Sequence, residues 1–89
     1  MLRPLSRRKG AVAMPERTYK LIELVGVSEN SVSEAIQNAV ARASQTLKGL
    51  DWIEVTQIRG VIQDGRVTQF QVQMKVGFRV MTEEELRGV

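Results

Sequence analysis

Within residues 67–80, polar and apolar side chains alternate from Gln69 onwards, and this alternation constrains the chain more than any other feature of its sequence. Successive side chains of a β-strand point to opposite faces of a sheet, so the pattern predicts a strand with one apolar and one polar face. The apolar set is Phe70, Val72, Met74, Val76, Phe78 and Val80. The polar set is Gln69, Gln71, Gln73, Lys75 and Arg79. A sheet built on this strand buries one side and keeps the other polar.

Two further segments predict strands that pair with it. Residues 51–63 are joined to it by Asp64-Gly65, which is the strongest short-range signal for a β-hairpin in the sequence. Residues 18–27 are rich in β-branched and aliphatic residues and end in a glycine break. Adjacent apolar residues interrupt the alternation of this first strand, so we expect cover on both of its faces.

A helix is predicted between the first two strands. Ser31 and Glu34 have the spacing of a capping box, Ser28 is an earlier candidate cap, and Gly49 is the expected C-terminal stop. An apolar stripe of about four turns follows the cap at helical spacing. Its members are Val32, Ala35, Ile36, Ala39, Val40, Ala43 and Leu47. The alanines indicate a helix that lies close against its sheet.

The element order β-α-β-β predicts the α+β class, with a three-stranded antiparallel sheet packed on one long helix. The order of the strands within the sheet stays open. One helix covers one face, which leaves two strand edges and a second face exposed to water. A chain of 89 residues also has a small core. We therefore expect a homo-oligomer.

Composition excludes several classes of protein. The chain has no cysteine and no histidine, which excludes disulfides, zinc fingers and histidine-based catalysis. We predict no catalytic residue and no metal site. No apolar run reaches the length of a signal-peptide core or of a membrane span, so we expect a cytoplasmic protein without membrane contact.

Residues 1–13 differ in charge from the rest of the chain. They carry four basic residues and no acidic one, whereas residues 14–89 carry nine basic and ten acidic residues. We expect a disordered basic extension over 1–13 and a single domain over 14–89. A basic tail that contacts anionic partners and a tail that docks on a neighbouring subunit are the alternatives. The near-neutral domain is not the footprint of a nucleic-acid-binding protein.

Trp52, the only tryptophan, is the first candidate for a functional residue. In the register of the predicted hairpin it lies opposite Gly77. A single tryptophan is commonly a core or interface side chain, and that interpretation stays open. The alternative is a stacking platform, because an indole on a sheet face can bind a flat heteroaromatic ligand.

The glutamines at 69, 71 and 73 are the second candidate, although a solvated polar face would explain them too. A primary amide donates and accepts hydrogen bonds, as a ring edge with carbonyls beside an N–H requires. In the predicted register Ile58 lies opposite Gln71, and Trp52 shares the face of Gln71. Arg59 then falls on the apolar face, which is unfavourable for a charge. A bulge at Gly60 would return Arg59 to the polar face but would also turn Trp52 over.

From Lys20 to Val80 the chain resembles the dodecins, in motifs that are specific by their order and spacing. In chain order these are ELVG-x-S (Glu23 to Ser28), an alanine-rich helix, L-D-W-x-E-V (Leu50 to Val55), I-R-G (Ile58 to Gly60), F-Q-V (Phe70 to Val72) and V-G-F (Val76 to Phe78). The resemblance implies a non-enzymatic protein that binds, stores and shields flavin as a hollow homo-dodecamer.

The resemblance also implies roles for four residues. Trp52 corresponds to the tryptophan that stacks on paired flavins between subunits, and Gln71 to the glutamine that binds the pyrimidine portion of the flavin. Arg59 lies near the ligand in bacterial members. Gln57 stands where some relatives contact the ribityl chain, although the residue type differs here. The implied cofactor is FMN or riboflavin; some relatives also bind coenzyme A, for which no residue here can be named.

Two other functions remain open at this stage. A small oligomeric nucleic-acid-binding module would stack bases on Trp52 and contact phosphates through residues 1–13. A flavin-dependent oxidoreductase would use the bound flavin for turnover, although paired, stacked rings leave little room for a substrate.

Overall fold

Three strands and one long helix form the fold in the computed structural model, which describes residues 16–87. The elements are β1 (Tyr19–Ser28), α1 (Val32–Ala43), β2 (Leu50–Gln63), β3 (Arg66–Arg79) and the short α2 (Glu83–Leu86). The predicted α+β class and β-α-β-β order are confirmed, with each strand within one residue of its expected bounds. The extension predicted over 1–13 lies outside the described residues.

The sheet has the order β1-β3-β2, and both neighbours run antiparallel to β3. The strand with the cleanest alternation is thus the central one, which answers the question that the sequence left open. The turn between β2 and β3 has positive φ at Asp64 (53°) and at Gly65 (75°). A two-residue type I′ turn requires positive φ at both positions, so the predicted hairpin is confirmed.

The core lies between α1 and one face of the sheet. Ala35 of the helix and Val72, Met74 and Val76 of β3 are almost fully buried there. A Cβ added to Gly26 of β1 would collide with the backbone carbonyl of Ala35. This glycine therefore lets the helix approach the strand, as the alanine-rich stripe predicted.

The N-terminal cap of α1 is the predicted one, whereas its C-terminal end is not. Ser31 caps the helix by accepting a 3.0 Å hydrogen bond from the backbone N–H of Glu34. The predicted stop at Gly49 is wrong, because the helix already ends at Ala43. Beyond Ala43 the hydrogen bonds tighten, because the N–H of Gln45 donates to the carbonyl of Arg42 and the N–H of Thr46 to the carbonyl of Ala43, both at 3.2 Å and three residues back.

Gly49 has a different position in the fold. With a φ of +79° it precedes β2, and its carbonyl accepts a 2.9 Å hydrogen bond from the backbone N–H of Arg79. Beyond β3 the described chain continues into α2. Thr82 and Glu85 form a capping box that starts α2.

The helix covers only part of its side of the sheet. Leu50 and Ile53 of β2 pack against the core, but Val55 and Ile58 further along the strand are 39% and 57% exposed. Both lie opposite buried residues of β3, so they point to the helix side without being covered by the helix. Near the turn, Ile62 is 69% exposed. Exposed apolar side chains on a sheet favour contact with another chain.

Candidate functional site

All four predicted site residues lie on the side of the sheet that faces away from α1, here called the open face. In the pairing of β2 with β3, Trp52 lies opposite Gly77, Gln57 opposite Gln73, and Arg59 opposite Gln71. Each of these β3 positions alternates with the buried residues of the core, so its side chain points away from the helix. The expectation that Trp52 and Gln71 share a face is confirmed.

The register near Gln71 differs from the predicted one. Arg59, rather than Ile58, lies opposite Gln71. An extra residue in β3, Thr68, shifts the pairing by one position just beyond the turn. The shift returns the charged Arg59 to the polar side, as a bulge at Gly60 would have done, but the extra residue belongs to the partner strand.

A second bulge cancels the shift before the strand reaches Trp52. Thr56 is an extra residue in β2, and its hydroxyl donates a 3.1 Å hydrogen bond to the carbonyl of Gln73. Two opposite shifts leave Trp52 opposite Gly77, as predicted from an unbulged hairpin. Each bulge contributes a threonine whose hydroxyl meets a carbonyl across the strands.

The indole of Trp52 lies against the backbone of β3 and remains 41% exposed. A Cβ added to Gly77 would collide with three carbon atoms of the indole, so the ring rests directly over this glycine. The ring of Tyr19 stands beside it, with centroids 5.7 Å apart and planes inclined by 58°. This arrangement leaves indole surface accessible as a platform for a flat ligand.

A hydrogen-bond network of four glutamines and one arginine occupies the other end of the open face. The Arg59 guanidinium donates to the Oε1 atoms of Gln57 (2.8 Å), Gln73 (2.9 Å) and Gln71 (3.4 Å). The Gln71 amide nitrogen donates to the Oε1 atom of Gln69 at 2.9 Å. The arginine thus engages three amide oxygens, so the N–H groups of these amides are the donors left for a ligand, apart from the Gln71 N–H that Gln69 accepts.

A charged row separates the Trp52 end of the open face from the glutamine end. Lys75 of β3 lies between Glu23 of β1 and Glu54 of β2. Gly77, under the indole, lies six positions along β3 from Gln71, which corresponds to about 20 Å at a strand's rise per residue. That separation exceeds the length of a three-ring heteroaromatic system. A three-ring system centred on Trp52 therefore does not extend along β3 to the backbone position of Gln71 in the same copy.

The sequence analysis assigned no role to three residues that surround Trp52. Tyr19 is the only tyrosine in the sequence. The glycine at position 77 interrupts an otherwise regular strand, and a glycine inside a strand commonly marks the close approach of another group. Asp51 accepts a 2.6 Å hydrogen bond from the Tyr19 hydroxyl and lies 3.5 Å from the Arg17 guanidinium. Contact with Tyr19, reinforced by the charge of Asp51, raises the pKa of Arg17 above its ordinary value, so the guanidinium stays charged.

The family model described as Dodecin matches residues 18–81, which is most of the chain. The chain belongs to the dodecin family. It is 52% identical over 64 residues to the dodecin of Thermus thermophilus, a match that covers 72% of this chain and 93% of that relative.

Solved dodecin structures have the same fold. The dodecin from Streptomyces coelicolor is 53% identical, with a TM-score of 0.73 and coverage of 79% of this chain and all of that one. The dodecin from Streptomyces davaonensis is 48% identical, with a TM-score of 0.71 and coverage of 74% and 97%. Membership in the dodecin family supports a small oligomeric protein that binds a flavin, as the resemblance implied.

The described residues add two further findings. No helix within residues 16–87 is long and apolar enough to cross a membrane. The same stretch contains no group of three or more acidic, cysteine or histidine side chains that could hold a metal ion.

Proposed function

We propose that this protein binds FMN or riboflavin without covalent chemistry, stores it in the cytoplasm and suppresses its photochemistry. In this proposal the working unit is a homo-dodecamer, and pairs of flavins stack on Trp52 between subunits. The observation that carries the proposal is the exposed indole of Trp52, held over Gly77 with ring surface accessible. Family membership supports the choice of a flavin among flat heteroaromatic ligands.

The glutamine network supports a ligand with carbonyl groups at one edge. Arg59 engages the oxygens of Gln57, Gln71 and Gln73, so a ligand is offered their N–H groups as donors, with one N–H of Gln71 already bound to Gln69. The pyrimidine portion of a flavin presents two carbonyls that such donors can bind. We assign this contact to Gln71 of a second copy, because Gln71 and Trp52 of one copy are too far apart for one ring system.

The indole provides both affinity and quenching. Stacking of a flat base on an aromatic side chain contributes about 1–3 kcal/mol, and we transfer that magnitude to the flavin ring. An electron-rich indole in van der Waals contact with an excited flavin donates an electron to it, and return of that electron to the oxidised indole leaves both rings in their ground states. A bound flavin is thereby kept from reacting with its surroundings, which suits storage better than turnover.

Titration of riboflavin and of FMN into the purified protein tests the proposal through flavin fluorescence. We expect the fluorescence to fall on binding and the affinity of the Trp52→Ala variant to drop roughly 5- to 150-fold. Trp52→Phe is the matched variant, because it keeps an aromatic ring of smaller area and should fall between the two. Native mass measured on each variant separates loss of the site from loss of the oligomer.

Unchanged affinity in an assembled Trp52→Ala variant would remove the indole from the site. A parent protein that is monomeric and leaves flavin fluorescence unchanged would contradict the whole proposal. Coenzyme A in the same titration, followed by displacement of flavin or by calorimetry, tests the additional ligand that the resemblance implies.

A further inference from the structure

Tyr19 and Asp51 surround Trp52 although they come from different strands. Tyr19 begins β1 and Asp51 belongs to β2, and the central strand β3 runs between them. The Tyr19 hydroxyl reaches Asp51 across β3 and donates a 2.6 Å hydrogen bond to its carboxylate. Gly77 has no side chain to displace the indole from the strand.

The hydrogen bond between Tyr19 and Asp51 fixes the phenol ring beside the indole. A short hydrogen bond to an ionised acceptor is stronger than one between neutral groups. Asp51 is itself an extra residue in β2 at an irregularity next to Trp52, so the bond also fixes the backbone that carries the indole. The Arg17 guanidinium, 3.5 Å from the same carboxylate oxygen, adds a favourable charge.

We propose that Tyr19 and Asp51 are positioning residues that hold the indole of Trp52 in the orientation that presents its free face to a flat aromatic ligand. An exposed side chain that can rotate must lose that freedom when it binds, and this loss weakens binding. The phenol ring at 5.7 Å and the backbone of Gly77 restrict the rotation before any ligand arrives. The consequence for flavin affinity rests on the function proposed above, whereas the orientation of the indole does not.

Fluorescence of Trp52 measures the orientation without ligand, because this tryptophan is the only one in the chain. We expect the decay of its emission anisotropy to show faster and wider local motion in Tyr19→Leu. Tyr19→Phe, which keeps the ring and removes the hydrogen bond, should give a smaller increase. Asp51→Asn should resemble Tyr19→Phe, because the amide keeps the shape of the carboxylate and loses its charge.

Flavin titration of the same variants measures the consequence for binding. We expect roughly 2- to 10-fold weaker binding in Tyr19→Leu, the size of an aromatic pair interaction. If Tyr19 acts through the indole, the same substitution in a Trp52→Ala background should leave the remaining affinity unchanged. An equal loss in both backgrounds would indicate a direct ligand contact and overturn the positioning role.

The two proposals can fail separately. Unchanged motion of Trp52 in Tyr19→Leu, Tyr19→Phe and Asp51→Asn would overturn the positioning role whether or not flavin binds. Increased motion in a protein that binds no flavin would support the positioning role and contradict the proposed ligand. Should Tyr19→Leu fail to fold, Tyr19→Phe and Asp51→Asn still decide the question, since both preserve side-chain volume.

Discussion

The two sides of β3 face different environments although they belong to one strand. On the helix side, Val72, Met74 and Val76 are at most 1% exposed and contact the core of their own chain. On the open face, the alternating positions carry glutamines in a network around Arg59 and, at Gly77, the bare backbone under Trp52. One side of the strand serves folding, and the other carries the proposed ligand site.

This difference indicates on which side of β3 a substitution should leave the stability of the protein unchanged. A substitution on the helix side alters close packing within one chain and should lower stability. A substitution on the open face changes side chains that can move into solvent, and should alter binding with little effect on stability. Four predictions test this separation, and we compare variants at one protein concentration because the stability of an oligomer depends on it.

The largest effect is expected for Met74→Ala, which removes a fully buried side chain between α1 and the sheet. Loss of buried methylenes and the remaining cavity should lower the free energy of unfolding by about 2–5 kcal/mol. The neighbouring Gln73→Ala, on the open face, is the control and should change it by less than about 1 kcal/mol. Denaturation in urea measures both, and equal losses would contradict the separation of the two sides.

Gly26→Ala should produce the next largest loss. The new methyl group would meet the backbone carbonyl of Ala35, which cannot rotate away as a side chain can. Overpacking of this kind costs about 1–3 kcal/mol, because α1 has to shift outwards. Urea denaturation measures the loss, and a variant as stable as the parent would show that α1 has room to move.

Gly77→Ala makes the same chemical change on the open face, with a smaller expected effect on stability. Here the methyl group would meet the indole of Trp52, an exposed side chain that can turn towards solvent. We expect a loss below about 1 kcal/mol, together with a shift of tryptophan emission to longer wavelength. Unchanged emission would mean that the indole does not rest on the strand at this position.

Much of this architecture could be predicted from the sequence. Period-two alternation over 67–80 identified β3 and separated Met74 from Gln73, because side-chain direction in a strand follows directly from position. The Asp64-Gly65 pair identified the hairpin, because few residues other than these adopt positive φ readily. The same local rules placed Trp52 and Gln71 on one face.

Other features depend on contacts that no local pattern contains. Thr68 and Thr56 form bulges in a hairpin whose sequence is also compatible with unbulged pairing, so the partner of Gln71 could not be predicted. At the early end of α1 the backbone changes to hydrogen bonds three residues apart after Ala43, without a glycine. Tyr19 meets Trp52 across a third strand, and strand order was open in the sequence.

The smallest predicted effect concerns the end of the open face, where α2 contacts Arg79 through an ion pair of 3.8 Å with Glu85. The hydrogen bond from the backbone of Thr82 lowers the pKa of Glu85 below its ordinary value, with the charge of Arg79 as a further cause. A carboxylate whose pKa is lower in the folded protein than in the unfolded chain stabilises the folded protein. The stabilisation is complete above the pKa of the unfolded chain, about 4.3 for glutamate. It is lost as the pH falls through the lower pKa of the folded protein. We therefore expect acidification below about pH 4 to loosen α2 before the core, seen as a shift of the Thr82 amide resonance in NMR spectra.

Glu85→Gln is the control, because it should abolish this titration. A Thr82 amide that titrates equally in the variant would assign the effect to another carboxylate.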